Sequence, residues 1–142
     1  MATVNVRKVD IGGAFAAGTR FSKELTTDAA GDAVFTTPFE VSGRIHTVQY
    51  VKDDYVNNVT LSVAGAETAE VFLALAAGVM DASVTMRPRI PVQAAADGSA
   101  LLYGVGYAQT DYPVVIGEKI TLTVAAGGNA KTGTFYITLL PL

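Results

Sequence analysis

The chain contains no cysteine, so disulfides and thiolate metal sites are excluded outright. Tryptophan is absent, and His46 is the only histidine, which leaves a usual zinc site or a histidine-based triad short of partners. Charge is also scarce: 16% of residues are charged, against roughly 25% in an average domain. A free monomer so poor in charge leaves apolar patches in water, and such patches mark partner surfaces. Burial by neighbouring subunits is the simpler explanation. Long hydrophobic runs are missing too. The longest, residues 71–80, is half of the roughly 20 residues that a bilayer-spanning helix requires. The segment MATVNVRKVDIGG lacks the apolar stretch of a signal peptide, so the expectation is a protein made and assembled in a cytoplasm, away from membranes.

What is present points to β-structure. Glycine, alanine, threonine and valine dominate, a composition suited to short strands joined by tight turns. The clearest pattern lies at residues 119–139. Ile120, Leu122 and Val124 alternate with Lys119, Thr121 and Thr123, and Phe135, Ile137 and Leu139 alternate with Thr134, Tyr136 and Thr138. Period-2 alternation sends one set of side chains to a core and the threonine-rich set to a wetter face. With AAGGNAKTG between them, the two runs read as a β-hairpin.

Alternation also predicts a short strand or extended arm over residues 3–8. TTDAAGDAVF reads as a turn, formed by Asp28 and Gly31, that enters a strand. A longer strand is expected over residues 39–51, bulged at Gly43, and further strands around Val59, Leu61 and Val63 and over Val71–Leu75. Residues 83–86 read as a strand closed by Arg87, Pro88, Arg89 and Pro91, because proline blocks ladder bonding. Residues 101–103 and the run entered at Val114 and Val115 complete the set, with residues 12–18 irregular and 93–99 a polar loop. The expectation is an all-β, single-domain β-sandwich or jelly-roll-like barrel of about eight short antiparallel strands. A chain of 142 residues suffices for one such core, and no repeat or linker divides it.

The net charge of −3 hides an asymmetry. Residues 1–23 carry Arg7, Lys8, Arg20 and Lys23 against Asp10 alone, a local charge of +3, while the rest carries −6. This suggests a basic N-terminal arm over residues 1–23 lying on an acidic neighbour, followed by a β-domain over 24–142. Four cations without an aromatic ladder do not make a nucleic-acid site. Arg87 and Arg89, held on an extended piece of chain by Pro88, present two guanidinium forks suited to carboxylates on a partner.

No catalytic, cofactor or metal site emerges. His46 has no GxSxG-type elbow to serve. GGNAKTG superficially suggests a phosphate loop, but Ala130 precedes Lys131 where glycine is required, and a strand follows where a helix is required. Asp53, Asp54, Asn57 and Asn58 gather oxygen ligands within six residues, yet they lack the EF-hand spacing and are the residue types of an ordinary turn.

Taken in order, TTDAAGDAVF, GRIHTVQYVKDDY, RPR and GGNAKTGTFYITL resemble segments of a group of small proteins encoded near the head genes of tailed bacteriophages. The resemblance spans most of residues 26–139, apart from 64–79. It implies a virion structural protein of the capsid decoration or cement type, located on the capsid surface. The implied partner is the major capsid protein, and the protein would form a homo-oligomer on the particle. A head–tail connector or tail component is the alternative within the same class. A carbohydrate- or ligand-binding β-sandwich is the alternative outside it, with Tyr50, Tyr55, Tyr103, Tyr107 and Tyr112 as stacking surfaces.

Overall fold

The structure, a computed structural model, describes residues 5–10, 17–91, 102–104, 107–108 and 110–142, with side chains described over 19–91 and 110–142. Its strands are β1 (Asn5–Asp10), β2 (Ala17–Thr26), β3 (Ala33–Thr36), β4 (Val41–Lys52), β5 (Thr60–Gly65), β6 (Val71–Leu75) and β7 (Val84–Met86). Then follow β8 (Ile90–Pro91), β9 (Leu102–Gly104), β10 (Tyr107–Ala108), β11 (Thr110–Asp111), β12 (Val114–Glu118), β13 (Ile120–Ala125) and β14 (Thr132–Leu140). One short 3₁₀ turn, Val79–Asp81, carries Met80 into the interior.

Two antiparallel sheets face each other. The larger has the order β1-β2-β14-β4-β12, with β7 paired to the other half of the β4 edge that β12 uses. The smaller has the order β3-β13-β5-β6. Two short ladders, β8 with β11 and β9 with β10, lie outside them. The chain is therefore an all-β sandwich.

The core forms where the two inner faces meet. Phe21, Ile45, Val48, Phe135 and Ile137 come from the larger sheet, and Leu61, Val63, Ile120, Leu122 and Val124 from the smaller. At one end the rings of Tyr50, Tyr55 and Phe135 pack together, with centroids 6.0 Å apart for the tyrosine pair and 5.3 Å for Tyr50 and Phe135.

The expected hairpin over residues 119–139 is not one. The alternation is present, with Ile120, Leu122, Val124, Phe135, Ile137 and Leu139 all buried. However, β13 pairs with β3 and β5, while β14 pairs with β2 and β4. The AAGGNAKTG segment is an arch that carries the chain from one sheet to the other. It is tied down from outside: the Thr27 hydroxyl donates to the Gly128 carbonyl and accepts from the Lys131 N–H at 3.0 Å. Alternation states that a strand has a dry face, but not whether its neighbour in sequence lies beside it or across the core.

The N-terminal arm also needs correction. β2 sits inside the larger sheet between β1 and β14, and its Phe21 and Leu25 are core residues. Arg20 and Lys23 therefore belong to the sandwich, and a boundary at residue 23 cuts a strand. β1 pairs along β2, with Arg7 opposite Arg20 and Lys8 opposite Thr19. Charged side chains interleaved with Phe21 and Leu25 concealed the strand.

The bulge expected at Gly43 falls on its partner. The register between β4 and β12 shifts between Val115 and Glu118, opposite Val41 and Gly43, so the extra residue is in β12. Gly43 is needed for closeness, since a Cβ there would lie 2.6 Å from the Leu140 carbonyl oxygen. A second shift, opposite Thr138 and Leu139, makes His46 the extra residue of β4. The strands expected after TTDAAGDAVF, around Val59 to Val63, over Val71–Leu75 and near 83–86 are all present. Residues 93–99 lie outside the described residues.

Candidate functional site

The candidates for chemistry resolve into structure. His46 is half-buried, shares a hydrogen bond with the neighbouring Thr47 hydroxyl and packs against the Tyr112 ring at 5.6 Å. Asp53 and Asp54 bind the start of β14. The Thr132 hydroxyl donates to Asp53, and the Thr132 N–H donates to Asp54 at 2.6 Å. That backbone hydrogen bond holds the Asp54 carboxyl below the usual carboxylate range. Asn58 takes a left-handed conformation, φ 68°, with its N–H on Asp81 at 2.8 Å. Among the described residues no three or more His, Cys, Asp or Glu side chains gather as metal ligands, and no helix is long and apolar enough to cross a membrane.

Tyr50 and Tyr55, expected as stacking surfaces for a ligand, are core residues, 1% and 2% exposed. The Tyr55 hydroxyl donates to the Leu25 carbonyl at 2.7 Å. The Tyr50 hydroxyl finds no partner among the described residues. Burial, with Asp53 and Asp54 adding to it, pushes the Tyr50 hydroxyl up to about 12. Burial also raises the Tyr55 hydroxyl, with Tyr50 contributing. The side chains of Tyr103 and Tyr107 lie outside the described residues, as do those of Arg7 and Lys8. An open pocket of about 220 Å³ lies beside Phe39, Val41 and Leu139 and has no charged wall except Glu40.

Three surfaces remain. The first is an arginine lip along the β4–β12 edge. Arg89 lies over the Tyr112 ring at 4.5 Å and donates to the Thr110 carbonyl at 3.4 Å. Tyr112 in turn meets His46. Arg44 is exposed opposite Val114, and Arg87 is exposed just beyond Met86, which pairs with Val48. Among the described residues Arg44 and Arg87 make no ion pair or hydrogen bond. Strand pairing thus sets Arg44 on the same β4 edge as Arg87, with Arg89 just beyond, and leaves Arg20 and Lys23 elsewhere. Arg20 spans the outer face of the larger sheet, over Tyr136 at 4.5 Å and on Gln49 at 3.2 Å. Lys23 is buried, with its ammonium 5.1 Å from the centroid of the Phe35 ring.

The second surface is the acidic end of the sandwich, where the loops 27–32, 53–58, 79–83 and 126–131 meet. Asp28, Asp32, Asp53, Asp54 and Asp81 lie there with Lys52 and Lys131. Backbone bonds from Gly127 to Gly31 and from Val56 to Gly127 knit these loops into one rim.

The third surface was not anticipated. None of the residues in β3, β5, β6 and β13 is charged. Their outward positions are Val34, Thr36, Thr121, Thr123, Ser62, Ala64, Val71 and Ala74, in register across four strands. Val34 is 68% exposed and Val71 52%. At about 4.8 Å between strands, this neutral face is roughly 15 Å across. The signal in the sequence was the absence of charge from each strand in turn, but only pairing gathers those strands into one face.

The far rim is closed by a carboxylate. Glu118, buried at the end of β12, accepts from the N–H groups of Glu67 and Thr68 at 3.1 and 3.2 Å and from the Thr68 hydroxyl at 3.1 Å. Burial alone would raise its pKa, but these donors outweigh it and hold the carboxyl below its ordinary value. A Cβ at Gly65 would collide with this carboxylate. Glu118 thereby ties the larger sheet to the β5–β6 turn of the smaller.

No protein-family model matches the chain, and no curated protein matches it.

Proposed function

We propose that the protein is a structural component of a tailed-phage virion, a β-sandwich that lies on the head surface and stabilises the capsid through binding and not catalysis. The observation that carries this reading is the neutral face of the smaller sheet. A soluble domain ordinarily keeps charge on any sheet face turned to water, because an uncharged, extended face invites association. Here the charge lies on the outer face of the larger sheet, at the edge and at the ends, leaving Thr, Ser, Ala and Val of the smaller sheet to meet a protein surface with little desolvation cost. The order of segments that resembles phage head proteins supplies the identity of the partner, the major capsid protein.

The size of the face sets the mode of binding. Its footprint is on the order of 300 Å², below the roughly 800 Å² per partner of a stable interface. A single copy binds weakly, and many copies held in register on one particle act together. Because the ligand binds only the assembled shell, it stabilises that shell by mass action. The test is a thermal DNA-release curve for particles with and without the protein, with add-back of purified protein and band stoichiometry by mass spectrometry. Earlier release without the protein and recovery on add-back are expected. Coincident curves would reject the capsid-stabilising role, and a copy number of one ring per particle would move the assignment to a connector.

A further inference from the structure

We infer that copies of this chain bind one another head to edge, the acidic end of one molecule seated on the arginine lip of the next. The lip offers three guanidinium groups against one exposed carboxylate among the described residues, Asp111, which pairs with Ile90 beside Arg89. Arg89 lies over the Tyr112 ring and donates to the Thr110 carbonyl, and Arg44 and Arg87 reach solvent without a partner among the described residues. Guanidinium groups of this kind bind carboxylates in paired hydrogen bonds. The same chain supplies the carboxylates, because Asp32, Asp53 and Asp54 are exposed on its acidic end.

Geometry makes the contact intermolecular. Arg44 and Asp53 lie on and just beyond β4, nine positions apart in the sequence, so along an extended strand they stand about 30 Å from each other. No side chain bridges that distance within one molecule. A contact between two different patches is heterologous, so it propagates into a ring or a filament and does not stop at a dimer. Both patches lie on the perimeter of the sandwich, and neither uses the neutral face. Lateral contacts and docking through that face are therefore compatible, and the inference deepens the head-surface reading by naming how neighbouring copies meet.

The test uses the purified full chain without particles, so it stands or falls separately from the DNA-release experiment. Sedimentation velocity over a concentration series should show species larger than monomer at low ionic strength, dissociating to monomer at about 0.5 M salt, where the Debye length falls to roughly 4 Å. The double variant Arg87→Glu/Arg89→Glu and the double variant Asp32→Lys/Asp53→Lys should each weaken association on the order of 100-fold. Mixed together, they should associate again, since each acidic lip then meets a basic end. Arg87→Glu alone, at an exposed position away from the Tyr112 stack, should give a smaller loss and guards against misfolding. A wild-type chain that stays monomeric at low salt overturns the inference. So do variants that assemble like wild type, or a mixture that stays monomeric.

Discussion

On the smaller sheet, Thr36, Thr121, Thr123, Ser62 and Ala64 stand side by side on the outer face with no charged neighbour in their strands. On the larger sheet the corresponding outward rows carry Arg20, Glu24 and Arg44 among Ser22, Thr134 and Tyr136. The inner faces of the two sheets are of the same kind, both aliphatic and aromatic, because both must exclude water. The outer faces have no such common requirement. Where one sheet keeps its charges and the other has lost them all, folding cannot be the reason, because either surface is compatible with the sandwich. On the function proposed above, the difference reflects what each face meets.

The largest effect is expected where the comparison should fail, in the core that the sheets share. Ile137→Asp on β14 and Leu122→Asp on β13 each bury an unpaired carboxylate between the sheets. The cost is about 3–5 kcal/mol or more, against a total stability of about 5–15 kcal/mol. Both variants should fail to give soluble folded protein, judged by expression and thermal unfolding. A soluble Leu122→Asp chain with an unchanged transition would show that the smaller sheet does not pack as described.

A smaller effect should separate the outer faces. Thr121→Lys places a charge on the neutral face, and Thr134→Lys places one on the larger sheet beside Glu24. Neither should change stability by more than about 0.5 kcal/mol, as is usual for surface positions. Attachment to particles, read by pelleting, should fall on the order of 100-fold for Thr121→Lys, because the ammonium must be desolvated on docking. It should remain near wild type for Thr134→Lys. Equal losses, or none, would mean that the uncharged face is not the docking surface.

The smallest effect concerns the rims where the sheets are tied together. Glu118 and Asp54 both have carboxyls held below their ordinary values by hydrogen bonds that favour the charged form. Their contribution is therefore present above the unfolded pKa values of about 4. It is lost as the pH falls through the depressed folded values. The melting temperature should be flat near neutrality and decline below about pH 5. Glu118→Gln should lower it by a few degrees at pH 7, with the gap to wild type closing toward pH 3. A gap that stays constant with pH would remove the carboxylate's charge from the account.

Much of this was legible residue by residue. Alternation at Ile120, Leu122 and Val124 and at Phe135, Ile137 and Leu139 marked the buried faces correctly. Asp28 and Gly31 marked a turn, where the Asp28 carboxylate accepts from the N–H groups of Ala30 and Asp32. Arg87 and Arg89 were readable as presented cations, and both are exposed. Their companion Arg44 was not, because it lies 43 positions away and joins them only through the pairing of β4 with β7 and β12. Tyr50 and Tyr55 were misread as surface aromatics because a tyrosine hydroxyl is compatible with either environment. Their place was decided by Phe135, from the other end of the chain.

By itself the sequence determined the β-character of the chain, the dry face of most strands and the scarcity of charge, since these depend on the period and kind of neighbouring residues. Only the tertiary structure decided that β13 and β14 lie in opposite sheets, that β2 is a core strand carrying Lys23, and that four uncharged strands make one continuous face. Strand pairing is a choice among distant partners, made by the packing of the whole core. Local alternation fixes which side of a strand is dry and leaves open what lies beside it.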